Sequence, residues 1–233
     1  MAGWRFSIVV IKALTETRRR QIKSYVLRDG RITKGQARAL QLCWGAYGLD
    51  SANGRLDFKA TFGRSAPTVL EIGFGMGDSL ANQASLNPEK NFIGVEVHKA
   101  GVGSLLMKTL EKDLSNLRIY KEDINEVLNY SIPRKSLHTV QIFFPDPWPK
   151  KRHHKRRLLE AQFLDIVARK LKLGGIIHIA TDWAPYAKAV DLLFLSRRDF
   201  DRTEIPSRPE TKFEKRSKRF GLPVSDLAYR LKQ

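Results

Sequence analysis

The stretch Val69-Leu-Glu-Ile-Gly-Phe-Gly-Met-Gly-Asp78 decides the fold, because an apolar strand runs directly into alternating glycines and then into a helix. Gly73, Gly75 and Gly77 let the backbone turn tightly and let a ligand approach it closely. A strand, a glycine loop and a helix in this order predict the first unit of a nucleotide-binding α/β sheet.

The glycine spacing and the acidic residues around it restrict which classes of ligand would fit this loop. The pattern is GxGxG, not the GxGxxG of dinucleotide-binding folds, which disfavours NAD and FAD. Glu71 and Asp78 would repel a pyrophosphate, but they would stabilise a ligand that carries an amino group and a sulfonium. S-adenosylmethionine is such a ligand. For the motif alone, a plain glycine-rich turn between strand and helix is the alternative interpretation.

Apolar runs alternate with segments of helical periodicity from residue 67 onward. Strands are predicted at 68–72, 91–95, 117–120, 139–144, 176–180 and 227–231, and helices at 78–86, 99–113, 157–171 and 184–195. Runs that are apolar nearly throughout are typical of strands buried on both faces, so we expect a parallel sheet covered by helices. Residues 1–60 are basic and irregular, with a helix start at Thr33 and a turn at 47–50. They are predicted to form an N-terminal extension to a domain at 61–233.

Acidic residues end the second and third predicted strands. Glu96 lies 19 residues beyond Gly77, close to the offset at which a carboxylate reaches ribose hydroxyls in nucleotide-binding units. Asp123 ends the next strand and would accept a hydrogen bond from an adenine amino group. Each acid alone is more often a helix cap or a solvated loop carboxylate than a ligand contact, but successive acids at one sheet edge favour a ligand site.

The fourth strand runs into a proline-rich loop, Phe143-Phe-Pro-Asp-Pro-Trp-Pro149. Proline lacks the N–H and fixes φ, so we expect a stiff, extended loop that holds Asp146 on the same sheet edge as the other acids. Trp148 either stacks on a nucleobase or fills the loop.

Charge predicts a nucleic-acid partner. The 233 residues contain 42 Lys and Arg against 24 Asp and Glu, a net charge of +18. The excess is concentrated at 18–20, 150–157, 197–198 and 212–219, and such patches suggest a polyanion, although each is alternatively a solvated surface. If residues 150–157 contact phosphates, removing their charge should weaken RNA binding and flatten its salt dependence.

The single cysteine, Cys43, excludes an internal disulfide framework and favours a reducing, cytoplasmic setting. The apolar stretch at 6–14 contains Lys12 and is shorter than a membrane span, so we read it as a loosely packed leader and expect no membrane association. Adjacent His153 and His154 lie inside a basic run with no other ligand cluster, and we predict no metal.

Taken together, these motifs resemble the bacterial tRNA (guanine-N7)-methyltransferase family. The resemblance covers nearly the whole chain from residue 19. The segments that carry it are 24–30, the Glu-Ile-Gly-Phe-Gly-Met-Gly loop, Phe143-Phe-Pro-Asp-Pro-Trp-Pro-Lys-Lys-Arg-His-His-Lys-Arg156, Ala180-Thr-Asp-Trp183 and Thr211-Lys-Phe-Glu214. The proline-rich motif is highly specific, whereas GxGxG is generic to methyltransferases. Residues 1–15 do not follow the family's pattern.

The resemblance implies a Rossmann-like class I methyltransferase: a mostly parallel seven-stranded sheet, helices on both faces, and an antiparallel last strand. It implies methyl transfer from S-adenosylmethionine to N7 of a guanine in the variable loop of tRNA. We expect a monomer or a homodimer, with no obligate protein partner evident. The implied cofactor contacts are Glu71, Gly73, Gly75, Gly77, Glu96, Asp123 and Asp146, and the implied substrate contacts are Lys150, Asp182, Thr211, Lys212, Phe213 and Glu214. Asp146 would also lie at the reaction centre, and Arg152, His153, His154, Lys155, Arg156 and Arg157 would lie along RNA. Residues 211–214 would form a loop that closes over the target guanine.

N7 of guanine is an acceptor without a proton, so its methylation needs no base. Asp146 is therefore predicted to orient the purine and stabilise its developing positive charge. Asp182 is either a cap of the following helix or a guanine contact. Two other classes of protein remain as alternatives. One is an RNA-binding protein with a vestigial cofactor fold, and the other is a nicotinamide dehydrogenase, which would be expected to show GxGxxG and a hydride-transfer base.

Overall fold

The computed structural model describes residues 23–26 and 30–232. The apolar stretch at 6–14, the basic residues at 18–20 and part of the 24–30 segment lie outside these described residues. Within them, none of the helices has the length and the hydropathy that crossing a membrane requires.

The described elements alternate as the sequence predicts. In chain order they are α1 (Lys34–Tyr47), β1 (Gly48–Leu49), a 3₁₀ turn (Ser51–Asn53), α2 (Phe58–Phe62), β2 (Thr68–Ile72), α3 (Asp78–Leu86), β3 (Asn91–Val95), α4 (Lys99–Glu111), β4 (Leu117–Tyr120), α5 (Ile124–Glu126) with a following π-helical turn (Val127–Ser131), β5 (Leu137–Phe143), a 3₁₀ helix (Lys151–Arg156), α6 (Ala161–Lys170), β6 (Leu171–Thr181), α7 (Ala184–Leu195), β7 (Phe200–Arg202), α8 (Lys212–Arg219) and β8 (Ser225–Leu231). The predicted bounds of β2, β3, β4, α3 and α7 are confirmed to the residue.

The strands of the described residues form one sheet in the order β1-β4-β3-β2-β5-β6-β8-β7. All pairs from β1 to β6 are parallel, and β8 pairs antiparallel with both β6 and β7. The predicted parallel sheet and antiparallel last strand are confirmed. From β2 the chain adds β3 and β4 on one side and then crosses to β5 and β6 on the other side, so the direction of winding reverses between β2 and β5. Open α/β sheets bind ligands at such a point, beyond the carboxyl ends of the strands.

Two apolar clusters cover the faces of the sheet. Alternate residues of β2 point to opposite faces, so Val69 packs with Leu80 and Leu105 of α3 and α4, whereas Leu70 packs with the cluster that contains Val167 and Val190 of α6 and α7. Every residue of β2 and β3 is buried, which confirms the expectation of strands covered on both sides.

Several sequence predictions are wrong in detail. The sheet has eight strands rather than seven, because residues 48–49, predicted as a turn, pair with β4 at the edge. Residues 34–47, within a segment predicted to be irregular, form a helix that starts as predicted, at Thr33, with a capping box to Gln36. The helix predicted at 157–171 begins later, at Ala161, and residues 151–156 before it form a separate 3₁₀ helix. Residues 211–214, which the resemblance implies to be a loop, are instead the cap and first turn of the helix at 212–219, with Thr211 as the cap.

Candidate active site

A cleft of about 1110 Å³ opens at the carboxyl edge of the sheet, beside the reversal in strand order. A second lobe of about 280 Å³ adjoins it. The residues that line both are Gly73, Gly75, Glu96, Val97, His98, Phe143, Phe144 and Phe213. Both volumes together exceed the space that a nucleoside-sized ligand needs.

The glycine loop between β2 and α3 forms the floor of the cleft. Gly73, Gly75 and Gly77 all have positive φ, of 73°, 57° and 77°. No heavy atom lies within 4 Å of the position where a Cβ on Gly73 would be, so this part of the loop faces open space. The predicted reason for glycine at these positions, a tight turn that exposes backbone to a ligand, is therefore consistent with the geometry.

Helix α4 holds the glycine loop in place. The hydroxyl of Ser104 and the ammonium of Lys108 each donate to the carbonyl of Met76 at 3.0 Å, and Lys108 lies 3.4 Å from a carboxylate oxygen of Asp78. A Cβ on Gly101 would collide with the carbonyl oxygen of Gly75. The loop and the helix can therefore approach this closely only because residue 101 is glycine.

We expect Gly101→Ala to lower the free energy of unfolding by about 2 kcal/mol and to weaken S-adenosylmethionine binding, because the loop backbone must move away from the new methyl group. Gly45→Ala in α1 is the matched control. A Cβ there meets nothing within 4 Å, so alanine should stabilise the helix by roughly 0.5–1 kcal/mol. Urea denaturation and calorimetric titration would measure both effects. Unchanged unfolding and binding in Gly101→Ala would contradict this role of the close packing.

Glu96 connects the glycine loop to the end of β3. Its carboxylate is buried and accepts hydrogen bonds from the backbone N–H groups of Gly75 at 3.0 Å, Val97 at 2.7 Å and His98 at 3.0 Å. Each carboxylate oxygen can accept more than one hydrogen bond, so Glu96 retains acceptor capacity toward both lobes. Its position agrees with the predicted ribose contact.

Glu71 is buried at one end of a row of three polar side chains. Gln83 of α3 donates to its carboxylate at 3.2 Å, and Gln141 of β5 donates to Gln83 at 2.8 Å. Burial raises the pKa of Glu71 to about 8, and the cation of Arg208 opposes this shift only in part. A cationic ligand in the cleft would therefore favour the ionised form of Glu71.

The third acidic residue of the predicted set, Asp123, lines neither lobe. Its carboxylate caps α5 by accepting from the backbone N–H of Asn125 at 2.9 Å, which is the helix-cap alternative that the sequence left open. Its neighbour Glu122 lines the smaller lobe and is held by the backbone N–H and the hydroxyl of Ser51. The sequence predicted an acidic residue at the end of β4, but it did not show that Glu122 rather than Asp123 lines the lobe.

Asp146 is exposed and lines the smaller lobe with Tyr25 and Phe144. The loop that holds it is stiff but not extended throughout, because Phe144 and Trp148 adopt left-handed backbone with φ of 51° and 44°. Phe144 is fixed by a 2.7 Å hydrogen bond to the carbonyl of Ala180 and by stacking on Phe213. Such strain persists only where neighbouring contacts enforce it.

Trp148 is packed into the protein. Its indole N–H donates to the carbonyl of Ser24 at 3.2 Å, and Arg156 and His153 lie against its ring at 5.0 and 5.7 Å. The loop-packing alternative is therefore the one that the geometry favours over base stacking.

Comparisons with known proteins identify the family of the chain. Residues 65–227 match a family model described as a putative methyltransferase. A tRNA (guanine-N(7)-)-methyltransferase of Alkalilimnicola ehrlichii is 50% identical over 231 residues, which cover 95% of this chain and 98% of that protein. The enzyme of the same name from Alcanivorax borkumensis is 48% identical over 218 residues, 90% of this chain and 91% of that protein. The chain belongs to the tRNA (guanine-N(7)-)-methyltransferase family.

Solved structures support the fold of this tRNA (guanine-N(7)-)-methyltransferase family member. The 16S rRNA methyltransferase KamB superposes with a TM-score of 0.55 at 15% identity, covering 76% of this chain and 93% of KamB. The aminoglycoside resistance methyltransferase NpmB1 superposes with a TM-score of 0.51 at 17% identity, covering 78% and 94%. The predicted class I methyltransferase fold is confirmed.

In this family member, the residues implied as substrate contacts lie in different environments. Asp182 accepts a 2.6 Å hydrogen bond from the hydroxyl of Ser217, and α7 begins after Trp183 without a side-chain cap, so the helix-cap alternative for Asp182 is wrong. Thr211 is buried and caps α8 by accepting from the N–H of Glu214 at 3.1 Å. Lys150 is exposed and lines neither lobe.

Phe213 and Lys212 line the larger lobe, and Phe213 also lines the smaller one. The Phe213 ring is 55% exposed and stacks on Phe144 at 5.9 Å, so it covers the junction between the lobes. The prediction that residues 211–214 reach over the pocket agrees with this placement.

The basic stretch 150–157 is only partly free to contact RNA. Arg152, His154 and Lys155 are exposed. Arg157 donates to the carbonyl of Pro147 at 2.9 Å and lies 4.9 Å from the ring of Tyr186. Together with His153 and Arg156, which pack on Trp148, Arg157 holds the proline-rich loop in shape.

The basic pair at 197–198 also contributes to structure. Arg197 pairs with Asp165 at 2.7 Å and with Asp199 at 2.6 Å, so its charge is already compensated. Among the described residues, the 212–219 patch contributes to the lining of the larger lobe, and the 150–157 patch lies in the chain between Asp146 and Leu158, which line the smaller lobe.

The sequence reasoning missed Arg208, which lies almost fully buried behind α8. It forms a bidentate pair with Asp226 at 2.9 and 2.7 Å and a bond to Glu214 at 2.6 Å, and it lies 5.0 Å from the ring of Phe143. Asp226 in turn lies 2.8 Å from Nε2 of His178, a fully buried histidine of β6. Arg208 therefore anchors the helix that closes the cleft to the last strand of the sheet.

Burial disfavours the charged form of Asp226, but hydrogen bonds from His178 and Arg208 outweigh this and hold its pKa at about 2. The signal for this network is present in the sequence. His178 is a polar residue inside a strand predicted to be buried on both faces, and such a side chain needs a buried partner.

Proposed function

We propose that this chain transfers a methyl group from S-adenosylmethionine to N7 of a guanine in the variable loop of tRNA. The observation that carries the proposal is the junction of the two lobes, where the glycine loop and Glu96 meet the smaller lobe that Asp146 lines. Family membership supports the reaction, since curated relatives about half identical to the chain carry this name. A single cysteine supports a cytoplasmic enzyme.

The donor chemistry of the cleft fits S-adenosylmethionine. Glu71 would hold its amino group, Glu96 its ribose hydroxyls, and the open face of Gly73 would admit its chain close to the backbone. When bound, the cofactor supplies a methyl group that its sulfonium activates. A pyrophosphate group would fit this loop poorly, because the carboxylate of Asp78 in the first turn of α3 would repel it.

Asp146 would act on the acceptor. Transfer forms a bond from N7 to the methyl carbon and breaks the bond from that carbon to sulfur, so the positive charge moves from sulfur to the purine. N7 carries no proton, so Asp146 has none to remove there. Its carboxylate would accept hydrogen bonds from the N–H edge of the base and stabilise the cationic product.

The stiff loop makes this orientation possible. Contacts from Trp148 to Ser24 and from Arg157 to Pro147 fix the backbone on the Trp148 side of Asp146, and Phe144 is fixed on the other side. A carboxylate on such a loop loses little conformational freedom when the base binds, because folding has already restricted the loop. The entropic cost of binding is therefore small.

Labelled methyl transfer to unmodified tRNA, followed by mapping of the modified nucleoside, tests the proposal. We expect label only in 7-methylguanosine and only in the variable loop. A transcript with 7-deazaguanine at the mapped position is the matched control, since it lacks the acceptor nitrogen and should take no label. Cofactor binding without transfer would instead favour an RNA-binding protein with a vestigial fold, and label at another atom would overturn the assignment of the target.

A further inference from the structure

Helix α8 has a row of four cations along one face. Lys212, Lys215, Arg216 and Arg219 follow the spacing i, i+3, i+4, i+7 and all line the larger lobe. We propose that this row binds successive RNA phosphates at the mouth of the cleft and thereby couples RNA binding to cofactor binding. The proposal deepens the proposed function and depends on it.

The opposite face of α8 fixes which side of the helix faces the cleft. Thr211, Glu214 and Ser217 follow one another at intervals of three residues and point inward. Glu214 is bound by Arg208 at 2.6 Å, and Ser217 donates to Asp182 at 2.6 Å. Because these contacts prevent rotation about the helix axis, the cations are held over the cleft rather than distributed around a mobile segment.

The cleft-facing cations have no carboxylate partners among the described residues. Lys218, on the same helix but away from the lining, pairs with Glu210 at 2.6 Å and Glu214 at 3.2 Å. None of the four lining cations forms an ion pair with a carboxylate within residues 23–26 and 30–232. The helix therefore compensates the charge on one side and leaves it free on the side of the cleft.

The lining as a whole is cationic. Five cationic residues line the larger lobe, the four of α8 and Lys99, against the acidic Glu71, Asp78 and Glu96. Asp78 is already paired with Lys108. A cofactor with a net positive charge enters this field against repulsion, whereas an anion is attracted, so neutralisation by RNA phosphates would strengthen cofactor binding.

The length of the row favours RNA over the carboxylate of the cofactor itself. From residue 212 to 219 an α-helix rises about 10 Å, further than one carboxylate can reach but comparable to neighbouring phosphates of one strand. The row lines the larger lobe, whereas the 150–157 stretch lies in the chain between Asp146 and Leu158, which line the smaller one. A target nucleotide entering the junction would therefore have phosphates on both sides.

The test uses the full chain with Lys215→Gln and Arg219→Gln combined. Both side chains are exposed, and glutamine has a similar helix propensity, so the fold should persist. Arg134→Gln with Lys172→Gln is the matched control: it removes the same charge from exposed residues near the amino ends of β5 and β6, at the edge opposite the cleft. Thermal melts of both proteins verify folding.

Binding of tRNA is measured between 50 and 200 mM salt, with 7-deazaguanine at the target to prevent turnover, and S-adenosylmethionine binding is measured with and without this tRNA. In the wild type and the control we expect tRNA to tighten cofactor binding by roughly five-fold or more. In the α8 variant the coupling should fall below about two-fold, and the slope of log affinity against log salt should decrease by about 1.5–2. Cofactor binding without RNA should be unchanged or tighter.

Weaker cofactor binding by the α8 variant in the absence of RNA would overturn the proposal and assign these cations to the cofactor's carboxylate. An unchanged salt slope and unchanged coupling would identify the row as a solvated surface. Either result is distinguishable from failure of the proposed function, because that failure would appear as a wild-type protein that transfers no methyl group to tRNA.

Discussion

Asp146→Ala is expected to lower the single-turnover rate of methyl transfer about 100- to 1000-fold, because it removes the group that orients the guanine and stabilises the charge formed on it. The loop should survive, since Asp146 is exposed and the contacts that hold the loop come from Phe144, Trp148 and Arg157. Rapid-quench measurement with labelled cofactor gives the rate. Asp201→Ala, an exposed carboxylate on β7, is the control and should retain the wild-type rate.

The pH dependence of the same rate distinguishes orientation from base catalysis. A limb that titrates with a carboxylate in the wild type and disappears in Asp146→Asn, with full activity retained above it, would favour the base. We expect instead that Asp146→Asn lowers the rate at neutral pH and above, with no recovery as pH rises, because asparagine keeps the shape but loses the negative charge.

Glu71→Gln is expected to change stability and cofactor binding in opposite directions. In the wild type, burial raises the pKa of Glu71 to about 8, so between pH 4.5 and pH 8 the unfolded chain releases a proton that the native protein retains. The stability contributed by this group is complete below the pKa of the unfolded state and is lost as pH rises through that of the folded state. Glutamine removes this dependence. Relative to the wild type, the variant should therefore gain about 3–4 kcal/mol in free energy of unfolding from pH 5 to pH 8.

The same substitution should weaken S-adenosylmethionine binding by roughly 10- to 100-fold, because the amino group of the ligand loses an ionic partner. A bound cation favours ionised Glu71, so binding to the wild type near pH 7 should release a proton, and binding to the variant should not. Urea denaturation across pH and calorimetry in buffers of different ionisation enthalpy measure the two effects. Gln83→Glu would not serve as a control for Glu71→Gln, since it adds a second buried carboxylate. Equal proton release by wild type and variant would show that the group responsible is not Glu71.

The central strands and the ligand edge could be predicted from sequence because local signals agree there. Residues 68–72 and 91–95 are apolar runs bounded by glycine, proline or acidic residues, and burial on both faces makes such runs continuous. The edge strand β1 could not be predicted, because two residues carry no periodicity and pair only when β4 is already in place. The helix at 212–219 could not be predicted, because its composition is nearly all polar and only its tertiary contacts reveal the inward face.

Among the site residues, the sequence determined which chemical types end each strand, and this follows from periodicity and from the carboxyl-edge rule for parallel sheets. It also determined that glycine must occupy 73, 75 and 77, and that a proline-rich loop holds Asp146. Only the tertiary structure decided which acid faces the cleft, since Asp123 turns to cap a helix whereas Glu122 lines a lobe. It alone joined Arg208, Asp226 and His178 and aligned the cations of α8, because these depend on side-chain contacts between residues 18 to 48 positions apart in the chain.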